Sequence, residues 1–484
     1  MISYKQLSLA NVFDDCQEKF QNDKHSFLKL LQDTINLDKL IPASFYRHYH
    51  SYTGRSRGCS LYSMLWALIL QKIFSIPTDS LLLIFLQYSS ELREFCGFDK
   101  VPDPSKITRF KQDFLPDLQS MFHNLVDITE PICQKIDLHK ATMLIFDTSG
   151  IEAYVTENNP KYAHRIIKQL KALKKVHNLG NSYDPYKLAY SSMPSHSASN
   201  PAIQQMYVNG HFCYSYKFGI ITNGLGIVRD ISLYNKDFLK AHPDIILKKK
   251  SDSPDEDKSL ADAKALLPTL KDFFQKHPLI TPNIFIGDAA FDSIDIYKTL
   301  LGDMKFDQAF IPLKVKLSLE DAECPLNEYG IPCCPHDSSL PMKPESSKSH
   351  LRSGLPSRKF VCPKMNWRKD ETGKHRRICH CDNPCTDSPS GRMTYIYPEK
   401  NLRAYPGILR NSVQWDETYK IRTTVERNIN QFKDSFCIAN RRTQNEKTLH
   451  ADLLFAGITQ LITVVVADKI NKREFLRSLK PLIA

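Results

Sequence analysis

At 484 residues the chain is too long for one compact core, and roughly 150 residues per domain suggests about three domains. Hydrophobic residues make up 42% and charged residues 24%, an ordinary globular composition that excludes extended disorder or a fibrous architecture. Lys and Arg number 65 against 53 Asp and Glu, and the resulting +12 favours a polyanionic partner through counterion release. The apolar runs Leu81 to Leu86 and Leu461 to Ala467 are far shorter than the roughly 20 residues of a membrane span. The first twenty residues have no basic stretch followed by an apolar one, so a cytoplasmic chain without a membrane partner is expected. Thirteen cysteines in such a chain point to reduced thiols or metal ligands rather than disulfides.

In chain order, residues 25 to 135 read as helices, with apolar residues at three and four spacing in LYSMLWALILQKIF and SLLLIFLQYSSELREFCGF. An N-terminal helical, DNA-binding domain is therefore placed at 1–135. Within it, SKITRFKQDF could present Lys106, Arg109 and Lys111 as a helix-turn-helix, although ordinary helix packing with a basic outer face explains the pattern better. ATMLIFDTSG then reads as a buried strand ending in Asp147, followed by a Lys-rich helix from Lys161 to His177 and a polar excursion to about 205. His211 to Asn235 alternates and carries Asn223-Gly224 between its halves, a hairpin signal. An amphipathic helix over about Leu260 to Lys276 precedes NIFIGDAAFDS, a second strand ending in Asp288. A helix near Ser293 to Leu301 and the strand QAFIPL follow. Strand, hairpin, helix, strand, helix, strand is the order of an RNase H-like sheet. The expected fold class is thus α/β: a core split between 136–315 and 401–484, interrupted by a Cys-rich basic insertion at 316–400.

The candidate chemistry lies at Asp147, Asp288 and Glu426. Taking Tyr419 as zero and about 100° per residue, Arg422, Glu426 and Lys433 fall near 300°, 340° and 320°, so these four share an arc of about 60°. Ile421, Val425, Ile429, Phe432 and Phe436 form the adjoining apolar stripe. Alone, Glu426 reads as a surface residue with i, i+4 partners, and each Asp as a turn or cap former. Together, three carboxylates on one rim repel one another unless a cation sits among them, and Mg²⁺ suits oxygen ligands. Two such ions could serve a phosphodiester displacement.

IFDTSG, IGDAAFDS and YKIRTTVERNINQFK resemble the three catalytic motifs of bacterial insertion-sequence DDE transposases. The third matches the Y-x2-R-x3-E-x6-K signature of one branch at Tyr419, Arg422, Glu426 and Lys433. The resemblance extends over most of the chain from about 55 to 470. It implies two Mg²⁺ or Mn²⁺ ions on Asp147, Asp288 and Glu426, and phosphate contacts from Tyr419, Arg422 and Lys433. It also implies terminal inverted repeats and target DNA as substrates, and a homodimer in the synaptic complex. A bacterial, nucleoid-associated location follows from it. Trp415 is either a base-stacking residue or, as the better reading, a buried aromatic.

Seven cysteines lie between 324 and 385. Cys362, Cys379, Cys381 and Cys385 could hold a tetrahedral structural Zn²⁺, with a reduced, partly buried cluster as the alternative. Cys324, Cys333, Cys334 and His336 make a weaker set. Beside them, Lys343 to Arg377 holds 11 basic and 3 acidic residues, suiting non-specific DNA contact. Two other functions fit the same residues: an RNase H-like nuclease that does not join strands, and a non-catalytic zinc-dependent DNA-binding derivative of a transposase.

Overall fold

The computed structural model describes residues 27–50, 57–180, 182–208, 210–247, 256–314, 324–345, 358–369, 373–397, 402–410, 412–441 and 443–483. The expected helical region contains α1 (Leu61–Ile73), α2 (Asp79–Tyr88), α3 (Pro104–Asp113) and α4 (Leu115–Ile136). Their starts follow local chemistry. The Ser60, Thr78 and Asp103 side chains each accept a hydrogen bond from a first-turn amide, and Pro104 stands where its missing N–H costs nothing.

Six strands then form one sheet: β1 (Met143–Glu152), β2 (Gln204–Val208), β3 (His211–Thr222), β4 (Val228–Leu233), β5 (Ile284–Ile286) and β6 (Gln308–Phe310). The order is β2-β3-β1-β5-β6, with β4 also on β3. β1 is antiparallel to β3 and parallel to β5, and β5 is parallel to β6. Met143, Leu144, Ile145 and Phe146 are all buried, so both faces of β1 are covered, as a central strand requires. At Gly219 an added Cβ would come within 1.9 Å of the Tyr234 hydroxyl, so only glycine lets that ring cross β3.

Between β1 and β2 lie α5 (Pro160–Val176) and α6 (Pro185–Ser191), so the polar excursion contains a helix that the sequence reading passed over. α7 (Asp262–Lys276) precedes β5 as expected. The β3–β4 hairpin forms, but its turn differs from a two-residue Asn-Gly turn. Residues 223–227 all lie between the strands, Asn223 Oδ1 accepts from the amides of Leu225 and Ile227, and the positive φ belongs to Gly226. The Gly224 amide is drawn away to the Lys140 carbonyl, which explains the longer loop.

Among the described residues of 324–397 the structure is strands: Cys333–Cys334 with Asp337–Pro341, Met365–Lys369 with His375–Cys379, and Lys343–Glu345, Arg358–Val361 and Met393–Ile396 in a third set. The chain ends with α8 (Thr423–Asn430) and α9 (Glu446–Lys469). α9 corrects one expectation: its 24 residues are long and apolar enough to cross a membrane by length and composition. However, 94% of its apolar window is buried in the fold, so it serves as a core helix between the sheet and the N-terminal helices. The N-terminal helices share a continuous core with the sheet, running from Phe27 to Leu479.

A buried ionic cluster joins the N-terminal helices to α9. Lys111 Nζ lies 2.7 Å from Asp79 and 2.9 Å from Asp452, while Arg441 lies 2.9 Å from Asp79 and 3.3 Å from Asp452. Lys72 adds a third cation 3.5 Å from Asp452. Lys111 is fully buried here, so it cannot belong to a DNA-reading face, while Lys106 and Arg109 on the same helix are exposed. The helix-turn-helix reading thus loses one of its three contacts.

Nearby, His123 Nδ1 and His277 Nε2 are 3.0 Å apart, and His277 Nδ1 lies 2.6 Å from Asp127. Burial pushes His123 and His450 down to about 4. Both are then neutral in the folded chain down to that pH but protonate near 6.5 when unfolded. The unfolded state therefore binds more protons between about 6.5 and 4, and stability falls as pH falls through that window. Urea midpoints at pH 7.5, 6.5 and 5.5 should decline, and the decline should be shallower in His450→Phe. Equal declines in both proteins would contradict this.

Candidate active site

Asp147 was expected to end its strand, but β1 continues to Glu152. What ends is one of its partners: parallel pairing with β5 stops at Ile145–Ile286, whereas antiparallel pairing with β3 continues through Asp147–Ile220. Asp147 thus lies just beyond the carboxyl end of the β1–β5 pairing, the end at which parallel strands of open α/β sheets place their ligand-binding groups. Asp288 stands two residues past β5 as the N-cap of a 3₁₀ turn at Ala289–Phe291. Each Asp also caps its own neighbour: Asp147 Oδ1 accepts from the Thr148 amide at 2.8 Å, and Asp288 Oδ1 from the Ala289 amide at 2.6 Å. Capping and a place at the carboxyl ends of the paired strands thus coexist.

Glu426 comes from α8. The single helix expected to carry Tyr419 to Lys433 is instead Val413–Tyr419, a 3₁₀ turn at Lys420–Arg422, α8, and a π turn at Gln431–Ser435. The uniform 100° count therefore drifts at both ends of α8. The apolar stripe nevertheless holds, with Val425, Ile429, Phe432 and Phe436 buried.

Arg422 is the hub. Its Nη1 lies 2.6 Å from Glu426 Oε1, and its Nη2 lies 3.4 Å from Asp288 Oδ2 and 3.8 Å from Asp147 Oδ2. The structure thus gathers the three carboxylates, from a strand, a post-strand turn and a helix, around one guanidinium. They are not tightly clustered: among the described residues their oxygens do not all lie within 4.8 Å of one another. One positive charge against three negative ones leaves an excess of two when all are ionised. Asp147 carries that strain, since burial first, and then Asp262 and Asp288, push its carboxyl up to about 6 against the opposing pull of Arg422 and the Thr148 amide. Burial works to lower the Arg422 pKa, but Asp147, Tyr419, Asp288 and Glu426 outweigh it and raise it.

Tyr419 is half-buried at the rim, and its hydroxyl is pushed up by burial and by the neighbouring carboxylates despite Arg422. Lys433 is brought to the same region less directly. It is 9% exposed, and burial lowers its pKa while Asp434, Cys213 and Asp147 act to raise it. Trp415 is 8% exposed, with its ring 5.0 Å from that of Phe310 and the Arg410 guanidinium 4.7 Å above it, so it is a packing residue.

Sequence reasoning missed Asp262 and Lys217. Asp262 accepts from the Thr148 hydroxyl at 2.6 Å and lies 2.6 Å from Lys217 Nζ, placing a balanced pair behind Asp147. In the sequence Asp262 looks like a helix-start acid, but a Lys inside the apolar strand β3 was a usable signal. Also unforeseen is the clamp that steadies the turn after Asp288. Arg403 grips Asp292 through two bonds of 3.0 and 2.6 Å, and Arg410 donates to the Ile311 carbonyl at 2.6 Å and the Tyr297 hydroxyl at 2.7 Å.

Of the four candidate zinc ligands, Cys362 and Cys379 meet with sulfurs 3.6 Å apart. Gly391 at φ +74° lets the neighbouring turn close against both, since a Cβ there would fall 2.9 Å from Cys362 Cβ and 3.1 Å from Cys379 Sγ. Cys381 turns instead to the Asn383 carbonyl, and among the described residues no three of the four sulfurs lie within 4.8 Å of one another. Cys324, Cys333, Cys334 and His336 do not assemble as a group either, His336 bonding to the Asn383 carbonyl.

A family model described as Transposase domain (DUF772) matches residues 15–113. This is the N-terminal helical part, ending where α3 ends, and the match supports a transposase with DNA as its partner. No curated protein matches the chain.

Proposed function

We propose that the chain is a DDE transposase with an RNase H-like core, cutting DNA at transposon ends and joining the freed 3′ ends to target DNA. The observation that carries this is the gathering of Asp147, Asp288 and Glu426 around Arg422 near the carboxyl end of β5. The sheet order supports the fold assignment: an antiparallel β1–β3–β4 unit followed by parallel β5 and β6.

The donor set fits divalent magnesium or manganese, because three carboxylates offer hard oxygen ligands and their excess over Arg422 is two charges. Asp147 and Asp288 are closer together than the sum of their distances to Arg422 Nη2. That is within the roughly 8 Å that two ions 3.5 to 4 Å apart, with oxygen bonds near 2.1 Å, can bridge. Bound there, such ions supply activation of the attacking oxygen and stabilisation of the departing one.

The chain's own residues do the rest. Arg422, held at the centre of the acidic group, offers a planar fork to a backbone phosphate. Tyr419 and Lys433 flank it with a hydroxyl and a point charge. The Asp262–Lys217 pair and the Arg403–Asp292 clamp hold the β1 and post-β5 backbones, fixing where Asp147 and Asp288 point. A homodimer on paired ends, and a nucleoid location in a bacterial cell, belong to the same reading.

A structural Zn²⁺ on Cys362 and Cys379, completed by Cys381 and Cys385, also belongs to it. Two ligands with 2.3 Å bonds to a tetrahedral ion stand roughly 3.8 Å apart, close to the 3.6 Å of the first pair, but the other two thiols must close in. Metal analysis of the purified chain should give one zinc that Cys379→Ser loses. A zinc-free, stable protein would remove the zinc assignment.

The test of function uses DNA bearing the inverted repeats that flank the reading frame, with Mg²⁺ or Mn²⁺. Metal-dependent nicking at the repeat ends, followed by joining of pre-cleaved ends to a second duplex, is expected. Nicking without joining identifies a nuclease, and binding with neither identifies a non-catalytic derivative.

A further inference from the structure

The helical hairpin between β1 and β2 has no role in the site just described, yet it carries much of the chain's charge. Residues 160–191 hold seven Lys and Arg against one Asp, a balance of +6 in a chain of +12. In α5 itself all six charged side chains are cations, and only Ile167 is buried.

Their arrangement is regular. At about 100° per residue from Lys161, Lys171 falls near 280°, His164 near 300°, Lys175 near 320°, Lys168 near 340° and Arg165 near 40°. The cations other than Lys174 thus occupy an arc of about 120° along a stripe about 21 Å long. Lys174 lies outside that arc and folds inward, donating to the Tyr183 carbonyl at 2.8 Å. Lys161, Arg165, Lys168 and Lys175 are exposed, and Lys171 lies 4.4 Å over the exposed Tyr186 ring. None of the five makes an ion pair among the described residues, so nothing within the described chain neutralises the stripe.

A solvated basic face is the ordinary fate of such a helix, but that face usually intersperses both signs and pairs them at i, i+4. Here only one sign is present, and the rest of the helix surface is partly apolar, with Val176 near 60° and Leu173 near 120° both exposed. Duplex DNA presents one negative charge per roughly 1.7 Å of axis, so a 21 Å stripe faces about 12 phosphate charges. α5 starts thirteen residues after Asp147, so the chain leaving the candidate catalytic strand runs into the stripe within one short loop and a 3₁₀ turn.

We propose that the cationic stripe of α5 is a sequence-independent docking surface for duplex DNA, gripping the phosphate backbone. This rests on the reading of the chain as a DNA-processing protein and names a surface that neither the three carboxylates nor the 15–113 domain accounts for.

The full chain is compared with Lys161→Gln/Arg165→Gln/Lys168→Gln, which keeps good helix formers in place, and with Lys161→Arg/Lys168→Arg, which keeps charge. Anisotropy of a fluorescein-labelled duplex bearing the repeat is read from about 50 to 200 mM salt. Removing three phosphate contacts should lower the slope of log K against log salt by about 2.7, while the arginine variant keeps the wild-type slope. A fall smaller than about 1 in the glutamine variant, with its helix content intact by circular dichroism, overturns the proposal. It would assign the stripe to solvent or to an acidic protein partner instead. The two readings fail separately: absence of metal-dependent nicking in wild type with the slope difference present defeats the transposase alone, and nicking with an unchanged slope defeats the stripe alone.

Discussion

Glu426→Ala is expected to lower Mg²⁺-dependent cleavage of repeat-end DNA by about 10³-fold or more, and Asp147→Ala and Asp288→Ala should do the same. The reason is electrostatic. Each carboxylate contributes both a ligand and a negative charge at a place where, among the described residues, the only cation in direct contact is Arg422. A metal lost from a phosphoryl displacement forfeits several kcal/mol of charge stabilisation, and about 4 kcal/mol is about 10³ in rate. DNA affinity should change little, or rise slightly, because removing an acid reduces repulsion of phosphate. Rates measured with saturating DNA, alongside binding measured without metal, separate the two effects. Nicking that survives Glu426→Ala at near wild-type rate would show that another group holds the reaction.

The second large effect concerns stability. Asp452→Ala should destabilise the chain by about 3 to 5 kcal/mol, the cost of leaving buried charges uncompensated. Asp452 is 1% exposed and faces Lys72, Lys111 and Arg441, so its loss leaves three cations against one carboxylate, Asp79, among the described residues. Burial and the neighbouring cations already push Lys72 down to about 7 despite Asp452 and Asp79, and it should become the first to shed its proton. Because Asp79, Lys72 and Lys111 belong to the N-terminal helices and Asp452 to α9, the loss should loosen the two parts of the shared core together. The check is the urea midpoint, with a surface pair such as Lys240–Asp237 broken as the control. A shift no larger than the control's would mean the cluster does not join the two parts.

Much of this architecture is legible in the sequence because it rests on local pattern. The apolar runs before Asp147 and Asp288, the 3.6-residue stripe through Val425 and Ile429, and the hairpin around Asn223 each announce an element within a dozen residues. The spacing of Tyr419, Arg422 and Glu426 likewise brings those three side chains together. What the sequence hid depends on long-range partners. β1 reads as ending at Asp147 because turn-like Thr-Ser-Gly follows, yet pairing with β3 carries it on to Glu152. The 3₁₀ and π turns around α8 leave no periodic trace, so the uniform wheel misjudged how Lys433 sits. Lys111 reads as a surface cation until Asp79 and Asp452 are brought to it from elsewhere in the chain. Asp262 becomes visible as a neighbour of Asp147 only once α7 is laid against β1.

The most direct measurement of the central claim is a count of bound Mn²⁺ by electron paramagnetic resonance, on the full chain with uncleavable repeat-end DNA. Wild type should hold divalent ions that Asp147→Asn, Asp288→Asn and Glu426→Gln each weaken, since removing any one donor opens the same site. Equal Mn²⁺ occupancy in wild type and all three variants would contradict it, because the three acids would then not be sharing an ion.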